Sequence, residues 1–274
     1  MKLYRTTRGI LVEEKEVFYP VSTIGWDELI ASVDMHVYLH AAIQGEPVPQ
    51  FSPSTILAPV VNQEVWAAGV TYYRSRNARM EESREAGGGN FYDRVYAAER
   101  PELFFKATGS RVVGPNRAVR IRSDARWSVP EPELTLLINP AGQIVGTTIG
   151  NDMSARDIEG ENPLYLPQAK IYDGSCALGP CILLSSEPLA KSIAIRMEIM
   201  REGKIAYAGD TTLAELKRDP KQLVEYLFYG NNFPHGVFLM TGTGIVPGDA
   251  FTLSSGDVIR ISIDQIGSLE NYVA

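Results

Sequence analysis

The sequence predicts a mainly β fold, a largely antiparallel sandwich or roll with few helices, led by a small α+β module. Two observations carry this. After Lys106 the chain is a series of short runs rich in β-branched and apolar residues, at 112–113, 119–121, 134–138, 144–149, 181–184, 193–200, 237–240, 251–253 and 258–263. Turn residues separate them, and such spacing is the pattern of packed antiparallel strands. Helical signals are few and brief.

In chain order, residues 3–7, 10–12 and 17–19 read as short strands. Residues 26–43 have helical periodicity, with Leu29, Ile30, Val33, Val37 and Ala41 on one broad stripe. His36 and His40 lie four apart on that helix, a spacing that can bind zinc. No third ligand accompanies them, so they read as surface or packing residues. Pro47, Pro49, Pro53 and Pro59 mark a linker. The division expected is a module of residues 1–60 and a main domain of residues 61–274, entered by a strand at 65–70.

Residues 72–86 are charged and helix-prone, and Gly87-Gly88-Gly89 ends them. The Gly triplet lacks the following Lys-Ser/Thr of a phosphate loop, so a flexible lid is the expectation. Glu202-Gly203-Lys204 reads as a hairpin turn. Asp219-Pro220 is a helix N-cap with Pro at the first turn, and Gly230 closes that helix.

The chain has 274 residues, of which 45% are hydrophobic, enough for a sizeable core. Its net charge of -7 gives no basic patch for nucleic acid. An anionic substrate would need a local positive site on such a surface. Cys176 and Cys181 form no CxxC and read as buried, reduced thiols. No signal peptide or membrane-spanning run is evident, so a soluble cytoplasmic protein is expected.

One segment carries the chemistry. Glu131 and Glu133 stand two apart at the head of the apolar run 134–138, and a strand sends i and i+2 to the same face. Two carboxylates held that close raise each other's pKa unless a positive charge sits between them. Asn139-Pro140-Ala141-Gly142-Gln143 supplies turn residues, and the run 144–149 would return Asp152 to the level of the two glutamates. Three carboxylates suit a hard divalent cation, Mg²⁺, Mn²⁺ or Ca²⁺. With no His or Cys beside them they argue against zinc. The bland alternative is a solvated polar strand end.

The strings Glu131-Pro132-Glu133-Leu134, Gly150-Asn151-Asp152-Met153-Ser154-Ala155-Arg156-Asp157, Lys170 and Leu178-Gly179-Pro180 resemble the fumarylacetoacetate hydrolase superfamily. The run from Asp157 to Lys170 is most similar to one branch of it, the 2-keto-3-deoxy-D-arabinonate dehydratases. The resemblance spans about residue 65 to the C-terminus. It implies a β-sandwich roll in a homodimer or homotetramer, and a Mg²⁺ site formed by Glu131, Glu133 and Asp152.

The resemblance also implies a small-molecule 2-keto acid as substrate and Lys170 in the active site. Arg156 would bind the substrate carboxylate, although it could equally pair with Asp157 or Glu159. Thr243, in Thr241-Gly242-Thr243-Gly244, matches a substrate-binding loop or is an ordinary turn. Glu102 precedes the aromatic pair Phe104-Phe105 and is either a second acid–base residue or an exposed Glu. Lys106 would pair with Glu102 or with substrate.

Many relatives carry a water-activating His near residues 69–73, but Arg74 to Arg79 hold none. That departure suits elimination better than hydrolysis. The reaction implied is loss of water from a 2-keto-3-deoxy sugar acid through a metal-stabilised enolate, giving a 2,5-dioxo acid semialdehyde. Lys170 and Glu102 would share the proton transfers, in either order. The alternatives are cleavage of an acylpyruvate-type C–C bond, decarboxylation of oxaloacetate, or binding of a keto acid without turnover.

Overall fold

A computed structural model describes residues 1–73, 94–185 and 189–274. The expected lid, most of 72–86 with Gly87–Gly89, and the histidine-free run 74–79 lie outside the described residues. Within them the fold is mainly β. A ten-stranded sheet runs in the order Val17–Val21, Gly9–Glu14, Lys2–Thr6, Cys176–Leu184, Ile144–Asp152, Pro132–Ile138, Val237–Met240, Glu64–Gly69, Glu102–Thr108. Val112–Val113 adds beside Cys176–Leu184 as the tenth strand. A five-stranded sheet runs Lys204–Thr212, Ala194–Arg201, Val258–Ile263, Gly267–Val273, Arg117–Val119.

The hairpin of Pro132–Ile138 and Ile144–Asp152 lies inside the large sheet. Every residue of its first strand is buried, which explains an unbroken apolar run where a half-exposed strand would alternate. Leu134, Leu136 and Ile138 share one core with Ile195, Met197, Ile199, Ile259 and Ile261 of the small sheet. Leu137 belongs to a second core with Leu29, Ile30 and Leu39 of the N-terminal helices. The hairpin is thus clamped from both sides. Its turn is held by Asn139, whose Oδ1 accepts from the amides of Ala141 and Gln143. Gly142 takes a positive φ of 76° there, a conformation glycine adopts freely.

Other local signals resolve as their chemistry dictates. Glu202 and Gly203 have φ of 52° and 74°, the left-handed pair of a tight hairpin turn. Asp219 Oδ1 accepts from the Lys221 amide at 2.9 Å and caps the helix Pro220–Phe228. The expected helix over 26–43 is instead two, Trp26–Ala31 and Met35–Ala42. Ser32 is extended, with ψ of 132°, and that break re-phases the periodicity. Val33 and Val37 are therefore 73% and 65% exposed, while Leu29, Ile30, Met35 and Leu39 form the buried stripe. His36 and His40 are both exposed on the second helix.

The run 251–253 is loop, not strand, with the Leu253 amide donating to the Ser128 carbonyl at 2.9 Å. The N-terminal strands are hydrogen-bonded into the large sheet, with Lys2 opposite Leu183 and Leu3 opposite Ile182. Among the described residues no helix is long and apolar enough to cross a membrane.

Two predictions follow from the packing. Leu136 is 2% exposed between the two sheets, so Leu136→Ala lowers unfolding stability by about 2–5 kcal/mol. Urea denaturation should show a lower midpoint at unchanged slope. Burial pushes the Cys176 thiol up to about 12 and the Cys181 thiol up to about 11. A raised thiol pKa keeps the unreactive protonated form at neutral and mildly alkaline pH. Native protein should therefore leave a thiol-titrating disulfide reagent at pH 8 unreacted, and unfolded protein should consume two equivalents.

Candidate metal centre

The hairpin ladder brings the acids together. Glu133 lies opposite Gly150 and Pro132 opposite Asn151. The next bond runs from the Asp152 amide to the Glu131 carbonyl at 3.0 Å. Asp152 is therefore level with Glu131, and the two-residue period puts Glu133 on the same face. Ligand oxygens of Glu131, Glu133 and Asp152 lie within 4.8 Å of one another. The three residues are 4%, 1% and 1% exposed, so this is no solvated strand end.

Three cations surround them. Lys170 ends the short helix Leu166–Lys170. Its Nζ lies 2.7 Å from Glu131 Oε2 and 3.1 Å from Asp152 Oδ2. Arg156 opens the helix Arg156–Glu161, and its backbone amide donates to the Trp127 carbonyl at 2.8 Å. Its Nη2 lies 2.7 Å from Glu131 Oε1. Lys106 Nζ lies 2.5 Å from Asp152 Oδ1 and donates to the carbonyls of Met153 and Lys170. Lys106, Arg156 and Lys170 are all 1% exposed or less.

Glu133 is placed differently. Its Oε2 accepts from the Gly242 amide at 2.5 Å, and among the described residues no ion pair reaches it. Burial first, then the charges of Asp152 and Glu131, push its carboxyl well above the usual carboxylate range. Lys170 and the Gly242 amide offset part of that. Hard oxygen donors in a dry pocket, one of them destabilised as an anion, fit a divalent cation. Such an ion would remove the penalty that now falls on Glu133.

The pocket is walled by Ala68, Gly69, Val70 and Phe104, with Gly242 and Thr243 along another side. Val70 has a φ of 53°, a strained conformation for a β-branched residue. The Thr243 hydroxyl is engaged in its own loop, accepting from the Ile245 amide and donating to the Ile245 carbonyl. Gly242 has a φ of 94°, and a side chain there would collide with Thr71. Glycine at this point is what lets the loop amide reach Glu133.

Of the sequence candidates, Glu131, Glu133, Asp152, Lys170, Arg156 and Thr243 line one pocket. Arg156 pairs with Glu131. Glu102 stands apart from that lining. It lies opposite Gly69 across adjacent strands, and its carboxylate occupies the space a side chain at 69 would fill. Lys106 meets Asp152. The reach of Lys106 to Asp152 went unread in the sequence, and the glycine loop at 241–244, read as bringing an amide to an anionic oxygen, brings the Gly242 amide to Glu133. The only local trace of the Lys106 contact is a lysine directly after two phenylalanines. None of the three histidines, His36, His40 and His235, lines the pocket.

Comparison with known proteins agrees with this geometry. Residues 71–274 match the model of the fumarylacetoacetate (FAA) hydrolase C-terminal family. A Haloferax volcanii protein named "Probable 2-keto-3-deoxyxylonate dehydratase" is 46% identical over 216 residues, covering 78% of this chain and 73% of that protein. The 2-dehydro-3-deoxy-D-arabinonate dehydratase of Saccharolobus solfataricus is 43% identical over 222 residues, 80% of this chain and 74% of that protein. A solved structure of 2-keto-3-deoxy-D-arabinonate dehydratase complexed with magnesium and 2,5-dioxopentanoate superposes with a TM-score of 0.86. It is 34% identical and covers 100% of this chain and 98% of that one. With a family match over most of its length and its acids converging where that resemblance expects them, the chain belongs to the fumarylacetoacetate hydrolase family.

Proposed function

We propose that this protein is a Mg²⁺-dependent dehydratase of 2-keto-3-deoxy sugar acids of the 2-dehydro-3-deoxy-D-arabinonate type. The observation that carries it is the buried trio Glu131, Glu133 and Asp152 with the Lys170 ammonium in contact with two of its members. Two relatives, 46% and 43% identical, are named as dehydratases of such acids, and a solved relative holds magnesium with 2,5-dioxopentanoate.

Glu131, Glu133 and Asp152 would hold the ion. When bound, Mg²⁺ supplies Lewis-acid stabilisation of negative charge building on the 2-oxo group. Arg156 and Thr243 bind the substrate, with Arg156 directed to its carboxylate. Lys170, as the neutral amine, takes the proton from C3. Glu102, whose carboxylate lies over Gly69 of the pocket wall, is assigned the protonation of the departing C4 hydroxyl. Loss of water and tautomerisation then give a 2,5-dioxo acid semialdehyde. Phe104, over which Lys170 Nζ sits at 6.0 Å, walls off water from the lysine. The absence of a histidine from the pocket lining favours elimination over the C–C hydrolysis that an activated water would perform. The same reading makes the enzyme a cytoplasmic homo-oligomer, which light scattering of the purified chain tests.

Incubation with Mg²⁺ and 2-keto-3-deoxy-D-arabinonate should release a semialdehyde detectable with a carbonyl reagent. Turnover of an acylpyruvate or oxaloacetate in place of the sugar acid would overturn the assignment. Glu131→Gln should abolish the heat of Mg²⁺ binding in calorimetry and turnover together. Lys170→Met should retain Mg²⁺ binding yet lose about 10²–10⁴-fold in kcat, the scale of a positioned proton-transfer group. Gly69→Ala displaces the Glu102 carboxylate, and should cost about 10²-fold in kcat with KM little changed. An unaltered kcat in Gly69→Ala removes Glu102 from the mechanism.

A further inference from the structure

Each carboxylate of the trio has one of its two oxygens beside a separate cation or backbone amide. Arg156 Nη2 takes Glu131 Oε1 at 2.7 Å. The Gly242 amide takes Glu133 Oε2 at 2.5 Å. Lys106 Nζ takes Asp152 Oδ1 at 2.5 Å. The other oxygens of Glu131 and Asp152 converge on a single ammonium, that of Lys170. Lys170 thus marks the point toward which the remaining oxygens of Glu131 and Asp152 are turned.

We infer that Lys106, with Arg156 and the Gly242 amide, restricts each carboxylate to one oxygen toward the cation and so selects a small six-coordinate ion. It rests on the reading of the trio as a metal site and names the residues that set its selectivity. Three single oxygens would leave a six-coordinate ion room for substrate and water. Mg²⁺ demands that near-octahedral geometry, whereas Ca²⁺ takes six to eight oxygens and gathers them by gripping carboxylates through both. A carboxylate whose second oxygen is bound to a fixed cation cannot turn to offer it.

Lys106 is the holder with the most contacts beyond its carboxylate. Lys106 Nζ donates to the Met153 and Lys170 carbonyls and lies 2.5 Å from Asp152 Oδ1 as an ion pair. Met153 follows Asp152 in the chain, so two of the three contacts fix the orientation of Asp152. The third anchors the end of the Leu166–Lys170 helix, where the Ser175 hydroxyl also donates to the Lys170 carbonyl at 2.9 Å. Lys106 is 0% exposed, and among the described residues no hydrogen bond ties it to the substrate-binding candidates Arg156 or Thr243. It is a positioning residue, acting on metal and base through Asp152 and Lys170.

The test is the ratio of Ca²⁺ to Mg²⁺ affinity, measured by calorimetry on the full chain for wild type, Lys106→Met and Arg156→Met. Loss of a nearby positive charge acts on both divalent ions alike and cancels in the ratio. Release of a second carboxylate oxygen helps only the larger ion. Second-shell partners typically carry about 10–100-fold in metal affinity, so a rise of about tenfold in the Ca²⁺:Mg²⁺ ratio is expected for each variant. A ratio that stays at the wild-type value in a folded variant overturns the inference and leaves the dehydratase reading standing. Wild-type crystals soaked with either ion give a second measurement that needs no variant. Asp152 binding through one oxygen with Lys106 on the other supports it, and Asp152 chelating through both overturns it. Absence of any divalent binding by the wild type removes the metal reading and this inference together.

Discussion

Three carboxylates pressed together out of water are the constraint that the rest of the structure answers. Two unit charges about 4 Å apart interact by about 4 kcal/mol at the effective dielectric of a protein, and desolvation adds several kcal/mol for each ion. No isolated strand would tolerate that. Glu131 and Asp152 tolerate it because Arg156, Lys106 and Lys170 are brought to 2.5–3.1 Å of their oxygens. Among the described residues Glu133 accepts only from the Gly242 amide, and it is the carboxyl driven upward. The cluster is balanced at two corners and unbalanced at the third, as expected of a site built to receive another positive charge.

The fold supplies this geometry by burying the hairpin on both faces. One face is shared with the small sheet and the other with the N-terminal helices. Its ends can then carry charge without loosening the ladder. The acids sit where the Pro132–Ile138 strand begins and the Ile144–Asp152 strand ends, so they open onto connecting segments and not onto core. Two short helices then deliver their terminal residues, Arg156 at a start and Lys170 at an end. Cations at a helix C-terminus are favoured by its dipole, and the Lys106 ammonium on the Lys170 carbonyl adds to the same effect.

Local chemistry made much of this legible. The i, i+2 spacing of Glu131 and Glu133, the Asn139–Gln143 turn and the apolar return strand placed three acids on one face before any coordinates. The Asp219 cap and the Glu202-Gly203 turn were readable for the same reason, since each depends on residues within a few positions. What escaped is long-range or subtle in pattern. Lys106 meets Asp152 at a sequence separation of 46 positions, and nothing near Lys106 in the chain names that partner. The strand Gly267–Val273 is polar at alternate positions, with Leu269, Asn271 and Val273 inward. A buried asparagine hid its period. Asn271 is accommodated because its amide donates to the carbonyls of Gly114 and Arg117. The helix stripe failed at Ser32, where one extended residue changed the phase of everything after it.

The charge inventory bears on why such a site would favour a reacting keto acid over a resting one. The six named side chains carry three formal negatives and three formal positives. A divalent ion added to them leaves a buried surplus of positive charge, which is unfavourable without a partner. An anionic 2-oxo acid offsets part of the surplus through its carboxylate. Transfer of the C3 proton to Lys170 leaves the total charge unchanged but puts negative charge on the 2-oxo oxygen, beside that positive surplus. The surroundings that the carboxylates, Lys106 and Arg156 hold fixed are therefore better matched to the deprotonating substrate than to the bound one. That difference, not the tightness of binding, is what lowers a barrier.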